Sequence, residues 1–156
     1  MPKIDAAQAV VRTTTIYPAE FQARVQGRGR AVLGNLAGLT QFGVNLTQLK
    51  PGAASALRHW HEQEDEFVYV LEGEITLIED SGETVLKPGN AAGFKAGVAN
   101  GHHLVNKSER DAVLLEIGTR SPRERVVYSD VDLLGEKSAE GYRFTHKSGK
   151  PYSESE

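Results

Sequence analysis

The chain has 156 residues, no cysteine, and 18 Lys and Arg against 21 Asp and Glu, for a net charge of -3. A chain of this size suits one domain and can bury roughly 70% of its unfolded surface. The lack of cysteine excludes disulfides, thiolate metal sites and a cysteine nucleophile, so any metal must be held by imidazole and carboxylate, and it fits a reducing cytoplasm. A sequence pI near 6.0 argues against a nucleic-acid partner, which would call for a strongly basic face. No apolar run approaches the roughly 18 residues needed to span a bilayer, and the first ten residues lack a signal-like apolar stretch. The expectation is a soluble, cytoplasmic protein without a membrane partner.

Residues 1–30 show no clear periodicity and carry Pro18, Gly27 and Gly29. They read as an N-terminal arm with a short strand near residues 10–17, packing on the barrel or on a partner. The basic run Arg24, Arg28, Arg30 in this arm reads as a solvated loop. From Phe42 the pattern changes: Phe42, Val44 and Leu46 alternate with Gly43, Asn45 and Thr47 until Pro51-Gly52, a strand ended by a turn. Strand-like runs follow at 57–61, 66–71, 74–79, 83–86, 92–94, 102–106 and 112–117, punctuated by turn signals such as Asp80-Ser81-Gly82 and Asn100-Gly101. Many short strands at close spacing predict an all-β, antiparallel sandwich or barrel over residues 31–134. Beyond a charged stretch and a short apolar return at 126–128, residues 135–156 read as a polar, mobile tail.

The chemistry concentrates in one hairpin-sized segment. In a strand, successive side chains point to opposite faces, so His59 and His61 share a face while Arg58 and Trp60 look the other way. Glu66 opens the next strand after the acidic turn 62–65, which places three metal-ligand side chains together. A further candidate lies in Asn100-Gly101-His102-His103-Leu104-Val105-Asn106. As a strand after an Asn-Gly turn, this segment sends His102, Leu104 and Asn106 one way and His103 with Val105 the other. Only one of the two histidines can then enter the site.

The segment from Gly52 to Gly73 resembles the first motif of the cupin superfamily: a glycine, His-x-His, three or four residues, Glu, six residues, Gly. Residues 89–106 resemble the second motif, in which a Pro-x-Gly turn precedes a histidine followed four positions later by Asn. Lys95 stands where the family's proline is usual. The resemblance implies a double-stranded β-helix, or jelly-roll, barrel. It also implies His59, His61, Glu66 and His102 as ligands of one divalent transition metal per chain (Fe, Mn, Ni, Co or Zn), with His103 left out. Among small single-domain bacterial cupins, some are described as sugar-phosphate isomerases.

Three imidazoles and a carboxylate leave two open positions on an octahedral ion, enough to chelate adjacent oxygens of a substrate and acidify a C–H beside a carbonyl. The leading expectation is a metal-dependent enzyme acting on a small oxygen-rich metabolite, with sugar-phosphate isomerisation as the specific reading. In this reading Glu66 doubles as a catalytic proton acceptor by leaving the metal. An Fe(II) dioxygenase and a non-catalytic, ligand-binding sensor are the alternatives. Covering long strand edges calls for a homodimer, with the arm and the Trp60 face as its expected contacts.

Overall fold

A computed structural model describes residues 2–152. In chain order its strands are β1 (Val11–Arg12), β2 (Arg28–Val32), β3 (Phe42–Leu49), β4 (His59–His61), β5 (Glu66–Glu72), β6 (Ile75–Glu79) and β7 (Gly82–Leu86). There follow β8 (Ala91–Phe94), β9 (His103–Val105), β10 (Ala112–Thr119), β11 (Glu124–Tyr128), β12 (Leu134–Ser138) and β13 (Gly141–Thr145). Two four-residue helices, α1 (Ala19–Gln22) and α2 (Leu33–Leu36), flank β2. No helix is long and apolar enough to cross a membrane among the described residues.

One sheet runs β1-β2-β3-β10-β5-β8, and the other strands form the sets β13-β12-β11-β4 and β7-β6-β9. Those two sets are stitched together by an antiparallel bridge between His59 and His102, whose backbone N–H groups each donate to the other's carbonyl at 3.1 and 2.9 Å. Two candidate ligands are thus fixed to each other through the backbone.

The register of β2, β3 and β10 aligns Arg28 with Leu49 and Ala112, Arg30 with Thr47 and Leu114, and Val32 with Asn45 and Glu116. Because strand side chains alternate, these rows form a single face turned toward the opposite layer. Its far end is apolar: Leu49, Val70, Ala112 and Leu114 meet Ile75, Leu77, Leu86 and Leu104 in the main core. Leu49, Val70 and Leu114 have no exposed surface, and each such burial stabilises the fold by about 1.5–3 kcal/mol. Toward the other end the same face carries Arg30, Asn45, Glu66 and Glu116, which line a cavity of about 550 Å³ instead of a core. Gly73, in the turn leaving β5, has φ 75°, and a Cβ there would sit 2.6 Å from the Asp111 carbonyl oxygen. Both its conformation and its packing require glycine.

The terminal segments differ from the expectation. The arm carries a strand within residues 10–17, β1, which pairs with β2; β2 joins the six-stranded sheet, so a boundary at residue 30 cuts through a strand. Tyr17, Phe21 and Val25 from this segment pack on Leu57, Val126, Tyr128 and Leu133 in a second core. Nor are residues 135–145 a tail, since β12 pairs with β11 and β13 with β12 to extend the four-stranded set. His146, within the expected tail, stacks on Tyr152 with ring centroids 3.9 Å apart and lies 2.9 Å from Asp132. The end of the expected tail, 153–156, lies outside the described residues.

Candidate metal centre

His59 and His61 project from β4 on the face opposite Trp60. Glu66 opens β5 one turn later, and His102 enters from the residue before β9. All four meet at the Glu66 carboxylate. Nε2 of His59 lies 3.5 Å and Nε2 of His61 2.9 Å from Oε1, and Nε2 of His102 lies 2.5 Å from Oε2. The His59 ring is 5.0 Å from each of the other two imidazoles. His103 points elsewhere, with Nδ1 2.8 Å from the Ala56 carbonyl, so the alternation expected at 102–103 is the one observed.

The contacts behind His59 and His102 turn Nε2 of each ring toward the site. A carbonyl only accepts, so the contact of His59 Nδ1 with Leu57 O at 2.7 Å puts a proton on Nδ1 and leaves Nε2 as the atom that faces the site. The His102 Nδ1 contact with Asn100 O acts in the same sense at 3.3 Å. Phe94, paired with Glu66 across β8 and β5, lies flat on the His102 ring with centroids 3.5 Å apart and planes 2° from parallel. Among the described residues, His61 Nδ1 is a buried atom without a hydrogen-bond partner. Behind it stand Glu124 at 3.7 Å and Glu64 at 3.9 Å.

The Glu124 carboxylate is itself pinned: the backbone N–H groups of Glu62 and Gln63 donate to it at 3.0 Å and that of Arg125 at 2.7 Å. Glu64 accepts from Ser121 N at 2.8 Å and from the Lys137 ammonium. Burial opposes charge on His61, but the Glu66 bond and the Glu66, Glu124 and Glu64 charges outweigh it and raise its pKa. Burial likewise opposes ionisation of Glu66, yet its bonds to His102, His59 and His61 hold it well below the ordinary carboxylate range. His59, His61 and Glu66 bring ligand atoms within 4.8 Å of one another, with His102 on the other Glu66 oxygen; this N₃O donor set fits a divalent transition ion, and His59, His61, Glu66 and His102 would hold it.

The centre lines the 550 Å³ cavity, whose other walls bring in Arg28, Arg30, Glu116, Tyr17, Tyr128 and Tyr142. Burial raises the pKa of all three tyrosines, so they stay hydroxyl donors at neutral pH. Arg28 and Arg30, expected in a solvated loop, are instead inside: Arg28 is 6% exposed. The cations nearest the motifs in sequence stand apart from the cavity or are engaged. Arg58 faces away and is held by Asp80 and Asp130, while Arg120 donates to Leu39 O at 3.0 Å and Asn35 Oδ1 at 2.6 Å. Lys95 lines a smaller pocket beside Trp60. Phe94, Glu124 and Tyr128 carry no local sequence signal of a site. The i, i+2 spacing of Arg28 and Arg30 was the one available hint, since it is the spacing of a strand face.

Comparison with known proteins agrees with this geometry. The cupin domain family model matches residues 45–118. A crystal structure of a cupin-superfamily sugar phosphate isomerase from Silicibacter pomeroyi is 44% identical, with a TM-score of 0.94 over 98% of each chain. A protein from Acidithiobacillus ferrooxidans, provisionally named a sugar phosphate isomerase, is 26% identical with a TM-score of 0.73, covering 90% of this chain and 97% of that one. The polyketide cyclase RemF from Streptomyces resistomycificus, 22% identical with a TM-score of 0.65 over 85% of this chain and 89% of its own, shares the fold. No functionally curated protein sequence matches. With His-x-His, Glu and a third histidine gathered inside a two-layer antiparallel barrel, and a 44% identical cupin relative spanning nearly its whole length, the chain belongs to the cupin superfamily.

Proposed function

We propose that the chain is a metal-dependent isomerase acting on a small, polyhydroxylated, anionic substrate of the sugar-phosphate class. The observation that carries the reading is the gathering of His59, His61 and His102 around the Glu66 carboxylate in the wall of a 550 Å³ cavity, a size suited to a small metabolite. The name of the 44% identical Silicibacter pomeroyi protein supports the same substrate class.

A bound divalent ion supplies Lewis acidity toward a carbonyl or hydroxyl oxygen. The chain's own residues supply the rest. Tyr17, Tyr128 and Tyr142, kept protonated by burial, offer hydroxyl donors to substrate oxygens along one wall. Phe94 keeps the His102 ring in its plane. Glu66, held ionised by three imidazoles, serves first as a ligand. To act as a base it must release one of those contacts, which raises its proton affinity at the freed oxygen.

The test is to incubate metal-reconstituted protein with a panel of aldose and ketose phosphates in deuterated water and follow the carbon-bound hydrogens by NMR. Interconversion or deuterium entry beside the carbonyl that disappears in His59→Ala supports the reading. Turnover that survives complete metal removal would refute it. Oxygen consumption with a ring- or carbon-cleaved product would replace it with the dioxygenase reading, and saturable binding without any product would replace it with the sensor reading.

A further inference from the structure

We propose that Arg28 and Arg30 form a subsite for a phosphate-sized oxyanion, which anchors the charged end of the substrate in the cavity that the histidine cluster opens on. The assignment of that anion to a sugar phosphate rests on the isomerase reading; the subsite itself rests on the arginines.

Both side chains lie on the inward face of β2, two residues apart, and line the cavity. Arg28 is almost wholly buried, yet among the described residues it has no carboxylate partner. Its Nη1 donates to Ser55 O at 2.7 Å, its Nη2 reaches Thr14 O only at 3.5 Å, and its Nε has no partner at all. Arg30 is matched by a single carboxylate, with Nε and Nη2 donating to Glu116 at 2.9 and 3.1 Å and Nη2 also to Ser55 O at 2.8 Å. One carboxylate is therefore paired with Arg30 and none with Arg28, and the Thr47 hydroxyl also donates to that carboxylate.

A buried cation without a counter-charge is unfavourable and is retained where an anion completes it. Burial and the neighbouring Arg30 push the Arg28 pKa down to about 10, so both groups are still charged at neutral pH. A guanidinium fork matches the oxygens of a phosphate, and the dianion of a phosphate monoester supplies the missing charge. The smallest matching probe is inorganic phosphate.

The experiment measures inorganic phosphate binding by calorimetry and by phosphorus NMR, on the protein as purified and again after chelation. The subsite predicts saturable binding in both preparations and in His59→Ala, within about twofold, and a loss of roughly tenfold or more in Arg30→Gln. Glu116→Gln adds a readout that a merely structural role would not produce. It keeps both arginines and removes the carboxylate paired with Arg30, so phosphate must bind more tightly. This holds even if Arg30→Gln proves too unstable to titrate. Binding that vanishes on chelation, undiminished binding in Arg30→Gln, or weaker binding in Glu116→Gln would overturn the subsite. Phosphate binding that follows the predicted pattern while no sugar phosphate is turned over supports the subsite and removes the isomerase reading.

Discussion

Phe94 lies face to face on His102 at 3.5 Å, so the ring that completes the centre is held by a side chain five residues beyond the last turn glycine, Gly89, on a different strand. Phe94 itself is placed by its pairing with Glu66. One strand pair therefore sets both the carboxylate ligand and the platform under an imidazole ligand. Phe94→Leu keeps an apolar side chain but removes the flat surface. Metal affinity should fall by about 10-fold to 100-fold, the range for residues that orient a ligand from behind, as read by competition with a chromogenic chelator.

Gly101 positions His102 by a close approach. A Cβ added there would lie 2.9 Å from Ser129 Cβ and nearer still to its hydroxyl. Gly101→Ala should destabilise the fold by about 1–3 kcal/mol through overpacking and weaken metal binding by displacing His102. Thermal denaturation of Gly101→Ala, Ser129→Gly and the double variant checks this, and the double variant should recover most of the loss.

Glu124 organises the acidic turn behind His61 by accepting from three backbone N–H groups. Glu124→Ala would remove the side-chain acceptor of Gln63 and Arg125, while the Glu62 N–H keeps its bond to Arg125 O at 3.0 Å; in this partly buried turn each lost bond costs about 1 kcal/mol. The expected result is a loss of about 1–3 kcal/mol in urea denaturation, together with weaker metal binding as the His61 backing charge disappears.

His103 gives a pH dependence of known sign. Burial lowers its pKa, outweighing the Ala56 carbonyl contact, which raises it. The unfolded chain, with an imidazole pKa near the ordinary value of about 6.5, therefore binds more protons in the window just below that value. Stability contributed by neutral His103 is full above it and is lost as pH falls toward the lower folded pKa. In chelator-treated protein, denaturation midpoints taken between pH 7 and pH 5 should fall more steeply for wild type than for His103→Gln, which cannot take up a proton.

Much of this fold was legible because strand periodicity reports one-sided burial. Phe42 to Leu49 alternates, glycine-bearing turns mark the ends of β5 to β8, and these strands stand close to where the pattern puts them. Strand β2 escaped notice because its inward face carries Arg28 and Arg30: polar side chains face inward where the barrel holds a cavity instead of a core. Strands β12 and β13 escaped for a different reason. Gly135 leaves room on the inner side that Tyr142 fills from the next strand, so the apolar contribution of the pair is split between two segments and neither looks amphipathic alone.

The centre divides the same way. His59, His61 and Glu66 are readable from spacing within one hairpin. His102 could be chosen over His103 only through family resemblance, because strand alternation shows that one of them enters without saying which. Phe94, Glu124, Tyr128 and Arg30 reach the site through strand pairing across long stretches of chain, and pairing leaves no mark on local sequence.

The claim that everything else depends on is that four side chains hold one ion. Element-resolved metal analysis of untagged protein, purified without chelators and again after anaerobic reconstitution, measures it directly. The account predicts about one equivalent of a divalent transition metal per chain, with His59→Ala close to none. A wild-type chain that takes up no metal even after reconstitution would contradict it.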